Sequence, residues 1–181
     1  MKKMANIYLI GLMGVGKTTI GKQLAKALQL PFYDSDKVIE ETTGVDIPTI
    51  FSYEGEAGFR LREQSVIQSL TALQGIVMAT GGGAVLQAEN REALKSSGFV
   101  VYLYCSIDKI LYRTRHDTQR PLLQTANPRK RLQSLLKERE PLYLECADFK
   151  IDSGSTPGKT VVNTILQQYR AILEENERIA S

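Results

Sequence analysis

Apolar positions along the chain follow two alternating patterns. Short, almost unbroken apolar runs at 5–10, 31–33, 76–79, 99–104 and 149–151 each predict a strand covered on both faces, because a half-exposed strand would alternate apolar with polar residues. Between these runs the spacing changes. After Gly16, the residues Ile20, Leu24, Ala27 and Leu28 recur at helical intervals, as do Phe59, Val66, Leu70 and Leu73 across 56–73. These predict two amphipathic helices docked on the sheet. Asn127-Pro128 and Thr156-Pro157 each place a capping side chain before a proline suited to the first helical position, so two later helices should start there. The alternation is that of βα units and predicts an α/β fold, a five-stranded parallel sheet flanked by helices. The polar stretch 174–181 is expected to fray in solvent.

A chain of 181 residues is long enough for one domain with a full core, and 1–181 is read as such a domain. With 43% hydrophobic and 24% charged residues, the composition excludes disorder as the overall state. The net charge of +3 is too small and dispersed for a nucleic-acid groove. No apolar run approaches the roughly 18 residues of a membrane span, and no signal-peptide core follows the first lysines. Cys105, Cys146 and His116 give neither a disulfide framework nor a zinc site, and are read as structural or solvent-facing. The expectation is a cytoplasmic monomer with small-molecule partners, engaging neither nucleic acid nor membrane. Charge is nevertheless uneven. Residues 109–141 hold nine lysines and arginines against three acids, which points to a small anionic ligand there.

Gly11-Leu12-Met13-Gly14-Val15-Gly16-Lys17-Thr18 fits Gly-x-x-x-x-Gly-Lys-Ser/Thr between an apolar strand and an amphipathic helix, the context in which this pattern binds nucleotide phosphates. The glycines let main-chain N–H groups of Gly14, Val15, Gly16 and the helix start through Thr19 turn inward on phosphate oxygens, aided by the positive helix end. Lys17 reaches the β- and γ-phosphates, and the Thr18 hydroxyl suits Mg²⁺, which keeps most of its coordination for phosphate and water. GTPase signatures Asp-x-x-Gly and Asn-Lys-x-Asp do not occur. Asp34 and Asp36 leave the second strand two residues apart, so in extended geometry both carboxylates point the same way, towards the phosphate loop. Alternatively, Asp-Ser-Asp simply caps the next helix.

The order Gly-Leu-Met-Gly-Val-Gly-Lys-Thr-Thr, Phe-Tyr-Asp-Ser-Asp, Gly-Phe-Arg-x-x-Glu, Thr-Gly-Gly-Gly, Arg-Pro-Leu-Leu and Arg-x-Pro-Leu-Tyr resembles the shikimate kinase family over about residues 7–166. The resemblance implies phosphoryl transfer from ATP to the 3-hydroxyl of shikimate, a step of chorismate and aromatic amino acid biosynthesis, on a nucleoside-monophosphate-kinase-like fold with a mobile lid at about 114–127. It further implies that Asp34 holds magnesium through water and that Asp36 accepts a hydrogen bond from the attacking hydroxyl. Arg60 and Arg139 would bind the substrate carboxylate, and Gly81, Gly82 and Gly83 would let main chain touch the ring, within an acceptor-binding segment that includes about 34–63. Arg120 would close over the γ-phosphate, and Arg113 and Pro157 would flank the adenine. From the residues alone, other assignments stay open. Arg60 can pair with Glu56 or Glu63, Arg139 with Glu138 or Glu140, the glycines can form a plain turn, and Arg120 can be an exposed loop cation. A kinase acting on gluconate or a nucleoside monophosphate and a non-catalytic binding protein are the competing functions.

Overall fold

Residues 6–118 and 120–180 are described by a computed structural model. Among them, five strands run parallel: β1 (Asn6–Ile10), β2 (Phe32–Asp34), β3 (Val77–Ala79), β4 (Gly98–Tyr104) and β5 (Phe149–Asp152), in the order β2-β3-β1-β4-β5. The expected α/β sheet is present. The central strands are covered on both faces, with Ile7, Leu9, Ile10, Val77, Phe99 and Val101 wholly buried. The edge strands β2 and β5 are only partly buried, against the expectation for all five, because each has a neighbour on one side only. Ala5, expected to open the first strand, lies outside the described residues.

Seven α-helices accompany the strands among the described residues: α1 (Lys17–Leu28), α2 (Ser35–Thr43), α3 (Ile47–Thr71), α4 (Ala88–Ser97), α5 (Ile107–Thr114), α6 (Pro128–Cys146) and α7 (Gly158–Ala180). In α1 the inner face is Ile20, Gly21, Leu24 and Ala25, whereas Ala27 faces out. Gly21 takes the place a larger residue would fill, since a Cβ there would lie 2.5 Å from the Phe32 ring. The helix expected at 56–73 begins earlier and is broken at Gly55, whose φ of 68° and ψ of −176° belong to a region open only to glycine. Phe59, Val66 and Leu70 are buried as expected; Leu73 falls beyond the helix end and is exposed.

Asn127 caps α6 as its sequence predicts, accepting from Lys130 N at 3.0 Å, with Pro128 opening the helix. At α7 the proline stands one residue earlier than expected. The helix begins at Gly158, and the Pro157 carbonyl accepts its first bond from Val161 N at 3.0 Å. The tail expected to fray is helical to Ala180, since Glu, Arg and Ala favour the helix and Ile172 and Leu173 anchor the preceding turn on the core.

The register sets the site. Asp34 pairs with Ala79, and Ala79 with Leu9, so the ends of β2, β3 and β1 deliver Asp34, Thr80–Gly83 and the phosphate loop to one edge of the sheet. That edge lies where neighbours of β1 depart on both sides, the crevice in which α/β sheets bind ligands.

Candidate active site

The phosphate loop leaves β1 at Gly11. Its φ of 142° and the 2.2 Å between a hypothetical Cβ and the Leu103 carbonyl oxygen admit glycine alone. Gly14 and Gly16, with φ of 75° and 101°, complete the curl. Gly16 caps α1 with no side-chain bond, and the first turn holds no acid, so its N–H groups are left for an anion. Thr18 and Thr19 are exposed at this end, and Val15 is buried in the loop before it. Lys17 is buried and donates to the carbonyls of Gly11 and Leu12, both at 2.7 Å. Burial, with the nearby Arg120 cation, lowers its pKa to about 7, against the opposing pull of Asp36 and Asp34.

Asp34 and Asp36 do not continue one extended strand, which corrects the geometric argument from spacing. Asp34 ends β2 and caps α2, its Oδ1 accepting from Asp36 N at 3.1 Å and Lys37 N at 3.4 Å, while Oδ2 accepts from Thr18 Oγ1 at 2.7 Å. Asp36 lies in the first turn of α2. Both still line the same cleft, because the helix turns Asp36 back over the sheet edge. Burial pushes the Asp36 carboxyl up to about 7, helped by the Glu63 and Asp34 carboxylates and opposed by Lys17 and Arg120.

That cleft has a volume of about 780 Å³ and is walled by Asp36, Arg60, Glu63, Gly81–Gly83 and Arg139, with Met13, Phe51 and Phe59 as its apolar side. Arg60 is paired within its helix, with Glu63 Oε1 at 2.8 Å and Glu56 Oε1 at 3.3 Å. The local pairing left open from sequence is therefore real, yet the guanidinium is buried against Phe59 and still lines the cleft. Arg139 is only 3% exposed, which rules out a surface pair; Glu140 turns instead to Lys150, at 3.6 Å. The glycines do form the turn left open from sequence, Ala84 N donating to the Gly81 carbonyl at 3.1 Å, but none has a positive φ, so at Gly81 and Gly83 it is space that requires glycine. A Cβ on Gly81 would lie 2.7 Å from Asp36 Oδ1, and one on Gly83 2.4 Å from Arg60 Nη2.

Four buried polar atoms around this cleft have no hydrogen-bond partner: Asp36 Oδ1, Arg60 Nε, Glu63 Oε2 and Arg139 Nε. Leaving such atoms unpaired is costly unless a ligand completes them. Sequence reasoning treated Glu63 only as a possible partner of Arg60 and assigned nothing to Tyr143, although both stand inside the quoted motifs. Burial pushes the Glu63 carboxyl up, against the pull of Arg60 and Arg139.

Arg120 reaches the same cleft from the connection between α5 and α6 and is paired there with Asp117 at 2.6 Å. Arg113 is exposed but tied down. It donates to the carbonyls of Gly14 at 3.2 Å, Val15 at 3.1 Å and Ser153 at 2.8 Å. Pro157 is exposed at the head of α7. His116 is exposed, Cys105 half-buried and Cys146 buried, the cysteines both free.

The shikimate kinase family profile matches residues 13–170. The chain belongs to the shikimate kinase family. It is 56% identical over 169 residues to the shikimate kinase of Methylococcus capsulatus, covering 93% of this chain and 94% of that one. With the shikimate kinase of Thioalkalivibrio sulfidiphilus it shares 55% over 170 residues, 94% and 90% of the two chains. The fold superposes on a shikimate kinase from Acinetobacter baumannii solved in complex with shikimate, with a TM-score of 0.90, 49% identity, and coverage of 94% and 95%. The shikimate kinase fold thus extends across nearly the whole chain, including every segment that forms the cleft.

Proposed function

We propose that the protein transfers the γ-phosphoryl group of ATP to the 3-hydroxyl of shikimate, releasing ADP and shikimate 3-phosphate for aromatic amino acid and chorismate biosynthesis. The observation that carries this reading is the set of four unpartnered atoms. Two guanidinium nitrogens and two carboxylate oxygens call for one ligand with an acid for the former and hydroxyls for the latter. Membership of the shikimate kinase family supports the choice of acceptor.

On this reading Arg60 and Arg139 take the shikimate carboxylate, while Gly81–Gly83 let main chain approach the ring. Asp36 accepts a hydrogen bond from the 3-hydroxyl. An alcohol is too weak an acid to be ionised beforehand, and phosphoryl transfer passes through a loose transition state, so Asp36 orients the hydroxyl and takes its proton late. A carboxyl held at about 7 suits that exchange. Gly14, Val15, Gly16, Thr18 and Thr19 offer main-chain N–H groups to the phosphates. Lys17 leaves the carbonyls of Gly11 and Leu12 for the β- and γ-phosphates, whose charge restores the protonated amine that burial disfavours. Arg120 exchanges Asp117 for the γ-phosphoryl oxygens as the lid, about 114–127, closes and excludes water. Arg113 and Pro157 flank the adenine.

Thr18 and Asp34 fit magnesium. Their oxygens, 2.7 Å apart, are hard donors beside the phosphate loop, the kind of donor that suits an ion carried largely by phosphate and water. Thr18 would hold it directly and Asp34 through water; when bound, it would neutralise charge on the β- and γ-phosphates. The reading further takes 1–181 as one domain with its acceptor segment at about 34–63, acting as a cytoplasmic monomer with no nucleic-acid or membrane partner. No helix among the described residues is long and apolar enough to cross a membrane.

The test is a coupled ADP-release assay over a panel of acceptors: shikimate, gluconate and nucleoside monophosphates. Turnover with shikimate alone is expected, and none with shikimate ends the reading.

A further inference from the structure

Ser153 follows β5 and is buried, and neither phosphate binding nor acceptor binding as set out above uses it. Each of its polar groups is bonded. Its N–H donates to the Tyr104 carbonyl at 2.8 Å, and its own carbonyl accepts from Arg113 Nη2 at 2.8 Å. Its hydroxyl donates to the Val15 carbonyl at 2.5 Å and lies 3.2 Å from the Tyr104 carbonyl. Arg113, in the last turn of α5, donates from Nη1 to the same Val15 carbonyl at 3.1 Å and to the Gly14 carbonyl at 3.2 Å. Two side chains from separate segments, 98 and 138 residues from Val15 in sequence, therefore meet on successive carbonyls of the phosphate loop. They are also joined to each other.

We infer that Ser153 and Arg113 are positioning residues for the phosphate loop, holding the Gly14 and Val15 carbonyls so that the N–H groups of Val15 and Gly16 face the nucleotide phosphates. The inference rests on the proposed function, which places the phosphates in this loop. The physical reason is the peptide plane. In a trans peptide the carbonyl and the N–H of the next residue point in opposite directions, and both of these peptides are trans. A grip on the Gly14 carbonyl therefore aims the Val15 N–H, and a grip on the Val15 carbonyl aims the Gly16 N–H. The loop needs such a grip, because Val15 stands between two glycines with φ of 75° and 101°, and glycine offers a turning peptide plane the least resistance. A plane turned over would present a carbonyl to the phosphates in place of a donor. Fixing both planes before ATP arrives removes the cost of ordering them from binding. This role is separate from the adenine contact proposed for Arg113, since it acts on the phosphates alone.

Inorganic tripolyphosphate is the probe, because it presents a chain of three phosphates without a base. Ser153→Ala removes one neutral hydroxyl and leaves every charge in place. The inhibition constant of tripolyphosphate against ATP, and KM for ATP, should each rise about tenfold, the scale of one buried carbonyl losing a bond, with KM for shikimate within about twofold. Arg113→Lys keeps the charge and loses the fork, and should show the same pattern. Ser155→Ala is the control: it takes a hydroxyl from the same turn, one that donates to Asp152 at 2.6 Å, and should leave the tripolyphosphate constant unchanged. A tripolyphosphate constant unmoved in either Ser153→Ala or Arg113→Lys, even where KM for ATP rises, would overturn the inference, because the residue would then act elsewhere than on the phosphates. KM for ATP and for shikimate rising together, or an equal loss in Ser155→Ala, would also overturn it, and each of these results leaves the proposed function intact. If neither replacement yields a folded protein, the two residues serve stability and the inference fails. A parent that binds neither ATP nor tripolyphosphate in calorimetry defeats the proposed function and this inference with it.

Discussion

Replacing Gly83 with alanine isolates the geometry of Arg60. The backbone there has a φ of −97°, so alanine adds no backbone strain. Its Cβ, however, would lie 2.4 Å from Arg60 Nη2, 2.5 Å from Nη1 and 2.7 Å from Cζ, where ordinary contact begins at about 3.5 Å. The guanidinium must retreat by about 1 Å, and its 2.8 Å bond to Glu63 must shift with it. Because the obstacle is the far end of a side chain, stability should fall only by about 1–3 kcal/mol, on the order of 2–10 °C in Tm for a chain of this size. Acceptor use should suffer more. A displacement of about 1 Å in a positioning group costs about a hundredfold in rate. The assay is steady-state ADP release with shikimate and ATP varied in turn, beside a thermal melt. kcat/KM for shikimate should drop about a hundredfold, with KM for ATP unchanged. If the variant keeps its shikimate kcat/KM within twofold, or loses affinity for both substrates equally, Arg60 does not hold the acceptor and the reasoning is wrong.

Lys17→Met should abolish most turnover and leave Tm equal or higher, since a buried amine disfavoured by desolvation is removed; near-parental turnover would overturn the phosphate assignment. Arg139→Lys should weaken shikimate binding by at least tenfold, because an ammonium cannot reproduce a planar two-donor fork, and an unchanged affinity in calorimetry would place the carboxylate elsewhere. Asp36→Asn should depress kcat more than it raises the shikimate KM, the opposite pattern making Asp36 a substrate anchor only. The same variant has a pH signature. The Asp36 pKa is raised on folding, from 3.8 to about 7. Its contribution to stability is therefore present below pH 3.8 and lost as pH rises through about 7. In ligand-free protein, Tm of Asp36→Asn relative to the parent should climb between pH 5 and 8, and a flat difference across that range would deny the shift.

The parts of the site that were legible in sequence are those built locally. A strand, a glycine loop and a helix in direct succession need no tertiary knowledge, and Gly11 to Thr18 form the expected loop with Gly16 at the helix start. Asn127 shows its capping role for the same reason. Where side-chain direction depends on the element that follows, local reasoning erred. Asp34 and Asp36 would share a direction on a strand, but the chain turns into α2 at Ser35, and Asp34 spends one oxygen on the cap. Contacts distant in sequence were hidden altogether. Nothing near Gly81–Gly83 reveals that the glycines make room for Asp36 and Arg60. Nor does anything near Tyr143 reveal that its hydroxyl reaches Gly82. The helix break at Gly55 lay in a segment whose apolar spacing suggested a helix only after it, because the turns before it sit half-exposed on the cleft side.

The central claim, that this cleft presents the 3-hydroxyl of shikimate to the γ-phosphoryl group of ATP, is tested most directly by the position of phosphorus in the product. Protein, ATP, magnesium and shikimate are incubated together, and the product is read by ¹H–³¹P correlation. The expected spectrum couples the new phosphorus to the proton on C3 and to no other ring proton. Phosphorus on a different oxygen, or ADP accumulating with inorganic phosphate and unchanged shikimate, would contradict it.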